Sequence, residues 1–362
     1  MKNSPLHSRH IALEAKMADF GGWLMPIEYP GSGVLAEHAA VRERVGLFDV
    51  SHLGKARVTG SGALEFLNSL FTNDLQRISD GQAQYTLLCN SSGGVIDDLI
   101  AYRNSSDDFF LVPNASNTSD VVAVIKEHAP DGITVENLHE EFGVIALQGP
   151  RSGAVLASLG VEPEMDYMAF AHVTIAGADV ILCRTGYTGE HGYELIPARK
   201  DVDAVWDICA ASVAAQEGLV CGLGARDTLR TEMGYPLHGH ELSLDISPVQ
   251  ASATWAIGWK KGTFLGSQIL VAQKEEGPAR RMRGIKSNDR GIPRAQMEIK
   301  DSSGAPVGIV TSGTFSPTLR VGIGLALIDT ALKVGDQVTI DIRGRISTAT
   351  IVDLPFVPSH VR

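Results

Sequence analysis

Apolar positions along the chain recur with two periods. Over residues 201–216, Val202, Val205, Trp206, Cys209 and Val213 fall on one face at helical spacing, with Gly218 following as a stop. Residues 119–128 carry a shorter helical pattern closed by Pro130-Asp131-Gly132. Residues 94–103, 109–112, 144–148 and 180–185 read as strands. Strands and helices do not alternate regularly enough for a doubly wound parallel sheet. The pattern therefore predicts an α+β fold with mainly antiparallel sheets.

The pattern changes after residues 273–283, Gln-Lys-Glu-Glu-Gly-Pro-Ala-Arg-Arg-Met-Arg, which are charged, lack hydrophobic periodicity and read as a linker. Beyond them, residues 306–311, 321–328, 338–342 and 346–352 read as short strands. Val338, Ile340 and Ile342 alternate with Thr339 and Asp341, and Arg343-Gly344-Arg345 fits a hairpin turn. A small antiparallel barrel is expected over 283–362, after a larger region over 1–272.

Charge and composition narrow the function. Thirty-one Lys and Arg against 42 Asp and Glu leave a net charge of −11, which argues against a general nucleic-acid binder. One local Arg can still hold an anionic ligand against that sign. No apolar run approaches the ~18 residues of a membrane span, so no membrane partner is expected. Residues 1–16 show neither an apolar signal region nor a transit segment, so a cytoplasmic protein is expected. Cys89, Cys183, Cys209 and Cys221 are widely spaced and read as small buried hydrophobes.

Familiar cofactor motifs are incomplete. Gly222-Leu223-Gly224 and Gln148-Gly149-Pro150-Arg151-Ser152-Gly153 lack a dinucleotide or phosphate-loop pattern and read as turns feeding helices. His238-Gly239-His240-Glu241 places two His where they cannot share a helix face, so no metal site is expected. Denser chemistry lies in Gly93-Gly94-Val95-Ile96-Asp97-Asp98-Leu99-Ile100. Successive strand residues face opposite sides, so one Asp can enter a pocket while the other faces solvent or a capping partner. Glu194 ends the glycine-rich run 186–194 and by itself reads as a solvent-facing strand residue. Arg226 and Arg230 lie one helical turn apart, which alone reads as a solvated face paired with Asp227 and Glu232. The run Thr311-Ser312-Gly313-Thr314-Phe315-Ser316-Pro317-Thr318-Leu319 alone reads as a tight turn.

Taken together these segments resemble the aminomethyltransferase (T-protein) family of the glycine cleavage system. The resemblance runs nearly end to end. It covers Phe20-Gly21-Gly22-Trp23, Phe48-Asp49-Val50-Ser51-His52, the Gly93–Ile100 motif, Leu147-Gln148-Gly149-Pro150 and Gly186-Tyr187-Thr188-Gly189-Glu190-His191-Gly192-Tyr193-Glu194. It continues through Gly222-Leu223-Gly224-Ala225-Arg226-Asp227-Thr228-Leu229-Arg230, the 311–319 run and Pro355-Phe356-Val357-Pro358. It implies a three-domain cloverleaf, with two interleaved, mainly antiparallel α/β domains and a C-terminal β-barrel. It also implies transfer of the aminomethyl group carried on the lipoyl arm of H-protein to tetrahydrofolate, yielding 5,10-methylenetetrahydrofolate and ammonia without a metal.

The resemblance places Asp98 at the catalytic position. It places Glu194 where a carboxylate accepts the paired N–H donors of a pterin, and Arg226 where a planar cation meets the folate carboxylates. Tyr85 and Trp255 match ring-contacting positions, and Asn114 and Arg294 match further site-lining ones. Leu53 stands where many relatives carry a folate-contacting Met, a near-isosteric change. No Tyr follows Pro355-Phe356-Val357-Pro358, where relatives often place one against folate. The alternatives are a folate-dependent demethylase of a small methylated substrate and a non-catalytic folate-binding factor. The signature Lys-Gly-Cys-Tyr of the latter is replaced here by Lys261-Gly262-Thr263-Phe264.

Overall fold

In the computed structural model, which describes residues 1–162, 164–342 and 344–362, the alternating segments assemble into two large sheets, a closed barrel and a three-stranded sheet near the N-terminus. The six-stranded sheet runs Phe170–Ile175, Ala178–Cys183, Gly192–Pro197, Ile145–Gln148, Gly46–Asp49, Leu219–Cys221. Only its last pair is parallel. The five-stranded sheet runs Gln82–Cys89, Val95–Ser105, Asp108–Val112, Ala56–Thr59, Thr134–Asn137, antiparallel throughout. The chain leaves the six-stranded sheet after Asp49, completes the five-stranded one, and returns at Ile145. That excursion interleaves the two units, as expected for the cloverleaf.

The helix Val202–Ala215 buries the five residues anticipated on its apolar face against the six-stranded sheet. Its stop works differently from the expectation. Glu217, not Gly218, takes the left-handed conformation, with φ 57°. Gly218 is needed because a Cβ there would lie 2.5 Å from the Val45 carbonyl oxygen. All four cysteines are buried and free.

Two further expectations are corrected. Residues 273–276, read as linker, form the last turn of the helix Ser267–Glu276, and the first barrel strand already begins at Arg280. The helix escapes notice because only Ser267 and Leu270 are buried, leaving no apolar stripe to detect. Residues 311–316, read as a turn, are the second half of the strand Pro306–Ser316, whose register shifts between Val310 and Ser312. The barrel closes in the order Arg280–Ser287, Val321–Asp329, Pro306–Ser316, Glu298–Lys300, Gln337–Ile342, Arg345–Val352 around a core that includes Ile285, Val338, Ile340 and Ile351. The last two strands pair antiparallel. Arg343, in the expected hairpin turn between them, lies outside the described residues.

A third core cluster joins Phe48, Tyr102, Phe110, Phe170 and Leu229, so the two large sheets pack over shared apolar surface with the helix Leu223–Glu232 between them and the barrel. Glu232, at the end of that helix, ties the parts together. It meets His38 at 2.9 Å and Arg42 at 2.7 Å, and accepts the hydroxyls of Ser316 and Thr318 from the barrel. Burial works against its charge, but His38, the Ser316 hydroxyl and Arg42 outweigh that cost and hold its carboxyl down at about 2. A depressed carboxyl contributes stability that is complete above its unfolded value near 4.5 and is lost as pH falls toward about 2. The contribution is on the order of 3 kcal/mol. Urea unfolding should therefore show the stability gap between wild type and Glu232→Gln shrinking between pH 7 and pH 3. A gap that does not change with pH would count against this joint.

Candidate active site

A cavity of about 230 Å³ opens between the two large sheets and the helix Leu223–Glu232. Seven of the eight positions singled out by motif and resemblance line this cavity, each from a different segment: Leu53, Tyr85, Asp98, Asn114, Glu194, Arg226 and Trp255. Arg294 does not. It is exposed on the barrel and donates to the Gly313 carbonyl at 3.0 Å.

Strand pleating separates the two adjacent carboxylates. Asp98 faces the cavity, where it accepts the Tyr85 hydroxyl at 3.0 Å and the Asn114 side-chain amide at 2.9 Å. Asp97 faces the other way and is fully buried, so it does not face solvent but meets partners from the segment 114–117. It accepts the backbone N–H of Asn114 at 2.9 Å and the side-chain amide of Asn117 at 2.7 Å, just ahead of the helix Thr118–His128. Burial raises the proton affinity of both carboxyls, and for Asp97 the neighbouring Asp98 adds to it. A cavity carboxylate with raised proton affinity is a better proton acceptor near neutral pH than an exposed one.

Glu194 is 8% exposed rather than facing solvent, because its strand lies inside the six-stranded sheet. One carboxylate oxygen accepts the Thr185 hydroxyl at 2.6 Å. Arg226 lies over the Tyr187 ring at 4.9 Å, and its Nη1 is buried without a hydrogen-bond partner among the described residues. Burial lowers its proton affinity, opposed by the charge of Glu194. The guanidinium stays charged regardless, so it is a cation awaiting an anion.

Arg230, one turn along, does the opposite. It pairs with Asp227 at 2.7 Å and Glu241 at 3.0 Å and donates to Ser312 of the barrel at 2.9 Å. The expected pairing with Asp227 is present, whereas Glu232 is engaged by His38 and Arg42. Glu241 is thus held by Arg230, and the flanking His238 and His240 bond the carbonyls of Val95 and Thr311.

Tyr85 and Trp255 stack at 5.1 Å and 24°, with Trp255 64% exposed beside the cavity. Such a pair offers a flat apolar wall to a ring system. Sequence reasoning passed over His52, Tyr187 and Thr185, which also line the cavity. His52 and Tyr187 sit inside quoted motifs and Thr185 directly before one, but nothing in their spacing marks them apart from neighbouring residues. His52 is held neutral, its imidazole pushed down to about 3 by burial.

Two sequence-family models match the chain. The GCVT N-terminal domain matches residues 6–261, and the glycine cleavage T-protein C-terminal barrel domain matches residues 280–358. The chain belongs to the glycine cleavage T-protein family. Within that family it is 58% identical to an aminomethyltransferase of Parafrankia sp. (strain EAN1pec), covering 100% of this chain and 99% of that protein. It is 57% identical to one of Mycobacterium avium (strain 104), covering 99% and 98%. The crystal structure of the glycine cleavage system aminomethyltransferase T from Bartonella henselae superposes with a TM-score of 0.93 at 34% identity, covering 99% of both chains. Full-length identity at this level favours a T-protein role over the demethylase and the non-catalytic folate binder. No helix among the described residues is long and apolar enough to cross a membrane.

Proposed function

We propose that this cavity is where a tetrahydrofolate-dependent aminomethyltransferase of the glycine cleavage system works. The reaction passes the one-carbon unit of aminomethyl-lipoyl H-protein to tetrahydrofolate, giving 5,10-methylenetetrahydrofolate and ammonia. The observation that carries the assignment of roles is the meeting, in one cavity, of a held carboxylate, a second buried carboxylate and a guanidinium whose Nη1 has no hydrogen-bond partner among the described residues: Asp98, Glu194 and Arg226.

Each has a task matched to its surroundings. Glu194, with one oxygen bonded to Thr185, presents a carboxylate to the adjacent N–H donors of the pterin. Arg226 pairs with the carboxylates of the folate tail, supplying the partner that its Nη1 lacks. Tyr85 and Trp255 cover the flat rings, and Leu53 packs as the usual Met would. Asp98 orients the nucleophilic folate nitrogen and holds or accepts the proton that this nitrogen sheds as it bonds the incoming carbon. Asn114 keeps Asp98 in place. Arg294, outside the cavity wall, would meet only a part of the ligand projecting toward the barrel. The region up to residue 272 thereby carries the folate site, and the barrel, whose first strand begins at Arg280, closes against it through Arg230 and Glu232.

The deciding assay measures methylenetetrahydrofolate formation from tetrahydrofolate and aminomethyl-loaded H-protein. Turnover is the expected result. Folate binding without turnover would return the demethylase and the non-catalytic binder to consideration, in that order.

A further inference from the structure

Asp97 takes no part in the chemistry proposed above, yet it is a fully buried carboxylate with three donors aimed at it. The backbone N–H of Asn114 reaches Oδ2 at 2.9 Å, and the side-chain amides of Asn114 and Asn117 reach Oδ1 at 2.9 and 2.7 Å. The same Asn114 amide also donates to Asp98, at 2.9 Å to Oδ1 and 2.9 Å to the main-chain oxygen. One amide nitrogen therefore spans both carboxylates, one on each face of the strand.

We infer that Asp97 is a positioning residue for the transfer reaction: by anchoring Asn114 from behind the strand, it fixes where the Asp98 carboxylate sits in the cavity. The inference rests on the reading of Asp98 as the catalytic carboxylate. An Asn side chain held only by the Asp98 oxygens can shift about χ2 together with them, because that torsion is broad. With Asp97 holding both its amide and its backbone N–H, the amide has one orientation. Reactions that depend on a near-attack geometry lose about a hundredfold for displacements near 1 Å.

The Asp98 charge raises the proton affinity of Asp97, whereas what raises that of Asp98 is burial. The other titratable groups facing Asp98 are Tyr85 from the adjacent strand, Tyr187 from the 184–191 loop and His238 from the segment after the helix Leu223–Glu232. Asp97→Asn leaves Asp98 itself in place, so the acid limb of kcat that belongs to Asp98 should persist in that variant.

The test compares wild type, Asp98→Asn, Asp97→Asn and Asn117→Ala as full-length chains, with tetrahydrofolate and aminomethyl-loaded H-protein. For Asp97→Asn we expect kcat to fall about 10- to 100-fold, folate Kd to stay within about threefold, and the acid limb to persist. Asn117→Ala removes one donor to Asp97 and keeps both carboxylates, so kcat should fall several-fold at unchanged folate affinity. Wild-type kcat in either variant overturns the inference. So does a fall in kcat for Asp97→Asn with folate affinity falling in parallel, because that marks a merely structural role. If Asp97→Asn does not fold, Asn117→Ala decides alone. Retained turnover in Asp98→Asn removes the assignment of Asp98 itself, whereas an inactive Asp98→Asn beside an unaffected Asp97→Asn removes only this inference.

Discussion

Asp98→Asn should lower kcat by about 10²–10⁴-fold, the range for losing a positioned proton acceptor, while folate affinity stays within tenfold. Asn keeps the size of the side chain and can still accept the Tyr85 hydroxyl that Asp98 accepts at 3.0 Å. It cannot carry negative charge or take up a proton. The effect belongs to kcat because the carboxylate acts on the nitrogen as it bonds the new carbon, and the remaining folate contacts are made elsewhere in the cavity. Burial raises the proton affinity of Asp98, so wild-type activity should also fall on acidification at a pH above the ordinary carboxylate range. The ionised form is the active one, hence the rate rises with pH through this limb. Steady-state kinetics across pH, paired with equilibrium folate binding, would check both statements. Turnover close to wild type, or complete loss of folate binding, would remove Asp98 from its place.

Glu194→Gln should do the reverse. Folate Kd should rise about 10²-fold or more, while kcat at saturating folate stays within a few-fold. Truncating one partner of a buried, charge-assisted hydrogen-bond pair costs about 2–5 kcal/mol. Gln retains one oxygen for the Thr185 hydroxyl, now 2.6 Å from Glu194, but turns an N–H toward the pterin donors. Donor then faces donor. Titration calorimetry with tetrahydrofolate separates this from a folding defect, since Thr185 and the strand Gly192–Pro197 keep their pairings. An unchanged Kd would mean that Glu194 faces some other part of the ligand. The two variants together form a cross: one loses rate at constant affinity, the other affinity at nearly constant rate.

Much of this site could be read before any coordinates. The strand through Asp97 and Asp98, the helix carrying Arg226 and the glycine-rich run ending at Glu194 are local patterns, and each forms where its periodicity places it. Resemblance then put Asp98, Glu194 and Arg226 at functional positions. Periodicity alone could not, because a charged residue on a strand or helix looks the same whether it faces solvent or a cavity. The weakest local signals failed in the expected way. The helix Ser267–Glu276 buries little, and the strand Pro306–Ser316 is broken by Gly, Ser and Thr.

The chain's own order of residues thus sets its elements, its antiparallel character and the chemistry available at each motif, because these depend on side chains a few positions apart. Tertiary packing assigns the roles. Arg226 and Arg230 occupy one helix face, yet Glu241 and Ser312 claim Arg230 and leave Arg226 without a partner for Nη1. Asp97 and Asp98 are neighbours, yet the Asn114–Asn117 segment takes one and the cavity the other. Those partners lie far along the chain from the groups they select. A charge's free energy depends on the burial and counter-groups around it in space, which no local pattern encodes.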